Sequence, residues 1–239
     1  EVAENLNRLF SGHHSKGGGL INSERKRARD LEQYVSRFYQ QYTVARQRAL
    51  YDLHTAIRGS RFEKFAVYPF LHGKPWQKQQ LQFLAACDVT TVLLMQTPAS
   101  TFSYYASHTH AAAAFTIELG KVRPFGQNDM ARFAQVDSTL RRLLTATLAE
   151  YGPFQVEQFQ LYEVFRAINK QTQDFKLHFA DDVENFTSYP VGTVLATDGD
   201  IEYRVEQEGE ALIFPNARVA IGQRAMLMVV PTTVADNLA

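Results

Sequence analysis

The hydrophobic pattern of this chain changes at Gly152-Pro153, and this change limits the possible folds more than any other feature. Before it, short apolar runs alternate with segments whose apolar residues recur every three or four positions, as in strands and amphipathic helices. After it, apolar residues alternate at period two in short runs that are separated by turn residues. The sequence therefore predicts an α/β sheet covered by helices over residues 1–154, followed by a smaller β-rich C-terminal domain over residues 155–239.

Several helix boundaries are predicted within the first of these domains. A helix begins after Asn22 or Ser23, and its apolar face consists of Ala28, Leu31, Val35 and Phe38. Pro75 suits the first turn of a second helix that runs to about Cys87. Asn128 or Asp129 caps a long helix that ends before Gly152 and whose apolar stripe reaches Thr147. Strands are predicted at 50–54, 65–70, 90–95 and 113–119, and in the second domain at 159–165, 175–179, 193–196, 201–205, 211–214 and 225–230.

The composition excludes several classes of partner. Lys and Arg together number 25 and so do Asp and Glu, so the net charge gives no support to nucleic acid or an anionic membrane surface as a partner. The apolar runs at 111–115 and 226–230 are far shorter than the roughly 20 residues that a membrane span needs. Cys87 is the single cysteine and cannot form an intrachain disulfide, which suits a reducing, cytoplasmic location.

His54 is the histidine most suited to chemistry. It stands at the carboxyl end of a predicted strand, where open α/β sheets bind their ligands. One ring nitrogen could bind a metal while Asp52, two residues earlier on the same side of the strand, holds the other. The alternative is a histidine that is simply hydrogen-bonded at the end of a strand.

Glu118 is a carboxylate within an otherwise apolar strand. Desolvation of a carboxylate raises its pKa and costs free energy, and this cost is tolerated where the group must exchange protons near neutral pH. The residue is therefore a candidate catalytic base. The alternative is a Glu that pairs with a buried cation, for which Lys121 is close in sequence.

Two further pairs of polar residues are weaker candidates for a functional site. Asn7-Arg8 offers an amide beside a guanidinium, which suits a substrate carboxylate, although local evidence favours a helix-start Asn followed by a surface Arg. His108 and His110 could face one side of a strand as a pair of imidazoles, or lie in a solvated loop.

Three segments carry a resemblance to a known family. They are LNRLF at 6–10, DLHTAIRGS at 52–60, and TIELGK at 116–121 continuing to PFGQND at 124–129. In this order they resemble the succinylglutamate desuccinylase branch of the aspartoacylase family, which is related to the zinc carboxypeptidases. The resemblance covers nearly the whole chain and implies a zinc-carboxypeptidase-like mixed sheet covered by helices.

The resemblance also implies a zinc-dependent amidohydrolase. His54 would be one metal ligand, Glu118 the catalytic carboxylate, and Asn7 and Arg8 the groups that bind a substrate carboxylate. Zinc, one per subunit, would need two further ligands from a His-x-x-Glu motif, and that motif is expected upstream of residue 1. Arg58, Lys121 and Arg123 are candidates for the remaining substrate carboxylates. The family's contacts just before the catalytic strand would fall around Tyr104 and His108.

The reaction implied is hydrolysis of the amide bond of N-succinyl-L-glutamate to succinate and L-glutamate, the last step of arginine catabolism by the succinyl route. The partner would be a small N-acyl amino acid, and a homo-oligomer is left open. Two alternatives stand beside this function. One is a sibling acylase that acts on another N-acyl amino acid, such as N-acetylaspartate. The other is a metal-free binding domain of the same fold.

Overall fold

The computed structural model describes residues 3–41, 46–145, 151–233 and 238–239. The helices are α1 (Ser23–Gln40), α2 (Lys78–Ala86), α3 (Phe102–His110) and α4 (Ala134–Thr145). Short 3-10 helices cover Leu6–Arg8, His13–Ser15, Met130–Phe133 and Val156–Gln158. The strands are β1 (Ala49–Ala56), β2 (Lys64–Tyr68), β3 (Thr91–Leu94), β4 (Ala113–Lys121), β5 (Gln160–Asn169), β6 (Lys176–Leu177), β7 (Thr187–Ser188), β8 (Val194–Asp198), β9 (Ile201–Arg204), β10 (Ala211–Ile213) and β11 (Arg224–Pro231).

One mixed sheet runs through most of the molecule. In the described residues it has eight strands in the order β1-β4-β2-β3-β5-β11-β10-β7, and β6, β8 and β9 form a second sheet. β1 and β4 are parallel, whereas β2 runs antiparallel to β4. The predicted α/β architecture followed by a β-rich portion is confirmed. β5 pairs directly with β3, so the two parts share this sheet, and a division at residue 154 stays a prediction.

The two faces of the sheet are covered by different elements. Ile117 and Phe115 on β4 pack with α2 and α4 in the largest apolar cluster. Alternate residues point to the opposite face, where the Ser103 hydroxyl on α3 lies 2.9 Å from that of Thr116. On this same face Phe65 of β2 packs with the C-terminal residues Ile213 and Leu227. Helix α3 and the C-terminal strands therefore flank one face of the central strands.

Some of the predicted helix features agree with the structure and others do not. Asn22 caps α1 by accepting the amide of Arg25 at 2.9 Å, as predicted. Phe38 was expected in the apolar face but is 59% exposed, and Tyr39 is buried instead, with its hydroxyl donating to Ala49. Asp129 caps a 3-10 helix that leads into α4, and Thr147 lies outside the described residues.

The prediction that Pro75 occupies the first turn of α2 is wrong. The helix begins at Lys78, and the residues before it are extended. They are held there because the Trp76 carbonyl accepts the amide of Ala239 at 2.8 Å, and the amide of Lys78 donates to the Ala239 carbonyl at 2.7 Å. This pairing with the end of the chain is a long-range contact that helix propensity does not register.

No helix among the described residues combines the length and apolarity that a bilayer span requires.

Candidate active site

Neighbouring strands bring His54 and Glu118 together. β1 and β4 are parallel and in register, so that His54 lies opposite Glu118 and Asp52 lies opposite Thr116. Glu118 is also paired with Phe65 of β2. Opposed residues on adjacent strands share a face, so His54 and Glu118 both point toward the side that carries α3. The two residues that the sequence singles out therefore lie next to each other in the structure.

Asp52 fixes the orientation of the His54 ring. Its Oδ2 lies 2.9 Å from Nε2 of His54, and this contact is the main reason that the pKa of His54 is raised. When the ring is neutral, Nε2 carries the hydrogen that Asp52 accepts, and Nδ1 presents a lone pair. The predicted role of Asp52 as the orienting partner of His54 matches this geometry.

Glu118 is a buried carboxylate with one unsatisfied oxygen. The residue is 6% exposed, and burial is the main reason that its pKa is raised, although neighbouring His54 lowers it. Oε1 lies 3.9 Å from Nδ1 of His54, and Oε2 has no hydrogen-bond partner among the described residues. The alternative of pairing with Lys121 is not observed, because that lysine is exposed. The nearest cationic or polar side chain recorded for Glu118 is instead the imidazole of His54.

Asn7 and Arg8 approach this site from the N-terminal 3-10 helix. The segment is anchored by the buried side chain of Phe10, whose ring centroid lies 4.7 Å from that of Phe102. Oδ1 of Asn7 accepts the amide of Phe102 at 2.8 Å, which fixes the side-chain amide and directs its Nδ2 donor elsewhere. Arg8 is close enough to His54 that its charge acts to lower the pKa of the imidazole. Nη1 of Arg8 donates to the Asn7 carbonyl at 2.8 Å, so the two residues are held together on the segment that contacts α3.

The other predicted substrate anchors have different environments. Arg58 donates Nε to the Pro215 carbonyl at 3.0 Å, and its Nη1 donates to the carbonyls of Ala180 and Asp181. Its guanidinium therefore joins the end of the His54 strand to the C-terminal portion. Lys121 and Arg123 are exposed beyond the end of β4.

Tyr104 and His108 lie on the same face of α3, one helical turn apart. Their rings stack at a centroid distance of 5.3 Å, and the Tyr104 hydroxyl lies 2.9 Å from Nε2 of His72. His110 points elsewhere and contacts Ser36 of α1 at 3.2 Å. The expectation that His108 and His110 share a strand face or a loop is wrong, because Thr101 caps a helix there. That helix has no long apolar stripe, which is why the sequence pattern did not reveal it.

Comparison with known proteins identifies the family. The model of the succinylglutamate desuccinylase/aspartoacylase catalytic domain matches residues 1–144, and that of the AstE/AspA barrel-sandwich hybrid domain matches residues 157–232. The chain belongs to this family. Succinylglutamate desuccinylases from Idiomarina loihiensis and Shewanella amazonensis are 56% and 52% identical to it, and each alignment covers 96% of this chain and 67% of the relative.

Solved structures of the family have the same fold. Succinylglutamate desuccinylase from Vibrio parahaemolyticus superposes with a TM-score of 0.85 at 38% identity, over 98% of this chain and 67% of that chain. The protein of the same name from Chromobacterium violaceum gives 0.83 at 40% identity, over 99% of this chain and 69% of that chain. The chain therefore spans about two thirds of the length of the family members to which it is similar.

The residues of the site fit one position of a metal centre. His54 presents Nδ1, Asp52 holds Nε2, and the unsatisfied Oε2 of Glu118 needs a partner that the described residues do not supply. No group of three or more His, Cys, Asp or Glu side chains that could hold a metal ion occurs within the described ranges. These side chains could offer one imidazole ligand with a carboxylate beside it, and a tetrahedral zinc site would require more ligands than they offer.

Proposed function

We propose that this chain carries the later residues of the active site of a cytoplasmic, zinc-dependent succinylglutamate desuccinylase. The reaction is hydrolysis of the amide bond of N-succinyl-L-glutamate to succinate and L-glutamate. The single observation that carries the proposal is the His54–Glu118 pair, in which a buried carboxylate faces an imidazole that Asp52 orients. Family membership and the names of the close relatives support the substrate.

The proposed metal centre contains one zinc ion per subunit, with His54 as a ligand through Nδ1 and two ligands outside the described residues. Bound zinc lowers the pKa of a coordinated water and polarises the scissile carbonyl. Asp52 contacts Nε2 and so fixes the ring, which would leave Nδ1 available to bind the metal. Oε1 of Glu118 lies 3.9 Å from Nδ1, so the carboxylate would stand beside the metal ligand, where it could exchange a proton with a bound water.

Glu118 is the proposed general base and acid. Burial raises its pKa toward the range in which a carboxyl both accepts and returns a proton near neutral pH. It takes a proton from the attacking water and passes it to the nitrogen of the departing glutamate. Asn7 and Arg8 bind a substrate carboxylate, which positions the amide over Glu118.

The decisive assay is release of glutamate from N-succinylglutamate by the full-length natural protein supplied with zinc. We expect hydrolysis that is lost in Glu118→Gln and retained in Glu157→Gln, which alters an exposed carboxylate outside the site. N-acetylaspartate at equal concentration tests the sibling acylase function and should be a much poorer substrate. Absence of glutamate release from the zinc-loaded protein would reject the proposal.

The alternative of a metal-free binding domain is not favoured by the geometry. Burial of a carboxylate costs free energy, and this cost has no evident use in a domain that does not transfer protons. A domain without that function would be more stable with an apolar residue at position 118, because no charged group would then be buried.

A further inference from the structure

An open cavity of about 390 Å³ lies between helices α1 and α3. Its walls come from α1, from Tyr105 of α3 and from His14 of the second 3-10 helix, and it is called the α1–α3 cavity below. The described residues that line it include neither His54 nor Glu118, so it is separate from the candidate active site. Its volume falls in the range of sites that bind small metabolites.

The floor of the α1–α3 cavity is a fixed network of polar side chains. The side chains of His14 and Glu32 are 10% and 14% exposed, and Nε2 of the imidazole lies 3.3 Å from Oε2 of the carboxylate. Oε1 of Glu32 also accepts the amide of Gly12 at 3.3 Å. The Tyr105 hydroxyl donates to the Glu32 carbonyl at 3.0 Å and lies 2.9 Å from the Ser36 hydroxyl. A nearly buried carboxylate is therefore held rigidly where it faces the cavity.

Two arginines of α1, Arg29 and Arg37, line the same cavity. They are eight residues apart, which places them on one face of the helix and about 12 Å apart along its axis. Arg29 bonds Asp30 through Nε and Nη2, and Arg37 donates Nε to the Gln33 carbonyl at 3.3 Å. Within the part of the chain that the structure describes, Nη1 of Arg29 and both Nη atoms of Arg37 donate to no protein atom. Each guanidinium therefore keeps donors for a ligand.

We propose that the α1–α3 cavity binds a small α-amino dicarboxylate, for which L-glutamate is the probe. Arg29 and Arg37 each bind one carboxylate, since guanidinium donors match carboxylate geometry and the flexible arginine stems can close the distance between them. The carboxylate of Glu32 accepts the ammonium group of the ligand. A ligand with two negative groups and one positive group thus complements two cations and one anion. This inference goes beyond the proposed function, under which L-glutamate is also the product.

The side chains of the cavity make a single phosphate or a monocarboxylate a poorer match. Either ligand carries one anionic group, so it engages the donors of one guanidinium well and leaves those of the other to water. Neither supplies a cation for Glu32.

The first test is calorimetric titration of the full-length natural protein with L-glutamate. Arg29→Met and Arg37→Met should each weaken binding about tenfold or more, because loss of one charge-assisted contact corresponds to roughly that factor. Arg141→Met is the matched control, since it removes an exposed arginine of α4 that does not line the cavity, and it should bind as wild type does. Absence of glutamate binding in wild type, or equal affinity in wild type and Arg37→Met, would overturn the proposal.

The second test compares L-glutamate with succinate, which has two carboxylates but no ammonium group. Wild type should bind succinate more weakly than L-glutamate, and Glu32→Gln should reduce that difference. Equal affinity of wild type for the two ligands would overturn the assignment of an amino acid.

Kinetics separate this site from the active site. Arg37→Met should leave KM for N-succinylglutamate unchanged, because the cavity lies outside the candidate active site. A raised KM in this variant would make Arg37 part of the substrate site and overturn the proposal. Absence of hydrolysis in wild type, together with glutamate binding that Arg37→Met weakens, would reject the proposed function and leave this binding site standing.

Discussion

Replacement of Glu118 by Gln should stabilise the metal-free chain near neutral pH while it abolishes hydrolysis in the loaded enzyme. The residue is 6% exposed, and its Oε2 has no partner among the residues that the structure covers. An unsatisfied buried polar group costs about 1–3 kcal/mol, and more when it is charged. Gln keeps the shape but removes the charge, so we expect the free energy of unfolding to rise by about 1 kcal/mol, and Tm by about 2–4 °C for a chain of this size.

The pH dependence of this gain has a definite sign. Burial raises the pKa of Glu118 above its ordinary value of 4.5, so the folded protein holds the proton more tightly than the unfolded chain does. Stability is therefore lost as pH rises from the unfolded pKa through the raised folded pKa. The gain from Glu118→Gln should be full above that window and should disappear below pH 4.5, where the wild-type carboxyl is protonated in both states.

Urea unfolding in the presence of a metal chelator, followed by the fluorescence of Trp76, measures this effect between pH 4 and 8. Glu157→Gln is the matched control, because it removes an exposed carboxylate and should leave stability nearly unchanged. A loss of stability in Glu118→Gln at pH 7, or a gain that does not vary with pH, would refute the reasoning that desolvation dominates at this residue.

Three further predictions concern Asp52 and two residues, Arg58 and Asn185, that bond distant segments of the chain to each other. Asp52→Asn should weaken zinc binding by the full-length protein about 10–100-fold, because the His54 ring loses its orienting carboxylate. Competition with a chelating dye measures the zinc affinity, and an unaltered affinity would contradict the role of Asp52. Arg58→Met should cost about 1–2 kcal/mol of unfolding free energy in urea, since it removes the bonds to the carbonyls of residues 180, 181 and 215, whereas the exposed Arg123→Met should not. Asn185→Ala should cost about 1–3 kcal/mol because the buried Oδ1 accepts the Phe214 amide at 2.7 Å, and a smaller loss would mean that water replaces it.

The elements whose periodicity is clear could be predicted from the sequence alone. The strand that carries Glu118 could be read from its apolar run, and the cap of α1 from Asn22, because both depend on local sequence. The convergence of His54 and Glu118 was predicted through the family resemblance, and the parallel register of β1 and β4 now gives it a physical basis. Periodicity alone offers no information about which strands are neighbours.

The elements that the sequence did not reveal depend on distant contacts. Helix α3 is short and packs polar and aromatic residues against the central strands, so it lacks the apolar stripe that marks a helix. Arg58 was considered a substrate anchor because a guanidinium near His54 suits a carboxylate, yet its partners are carbonyls more than 100 residues away.

The central claim is that His54 and Glu118 act together in metal-assisted hydrolysis of N-succinylglutamate. The most direct measurement is glutamate release by the full-length protein at fixed zinc concentration, with bound zinc quantified in the same samples, for wild type, His54→Ala and Glu118→Gln. We predict that wild type binds one zinc per subunit and releases glutamate, that His54→Ala loses both, and that Glu118→Gln keeps the zinc but loses the hydrolysis. Retention of zinc and of glutamate release in His54→Ala, or full activity in Glu118→Gln, would contradict the account.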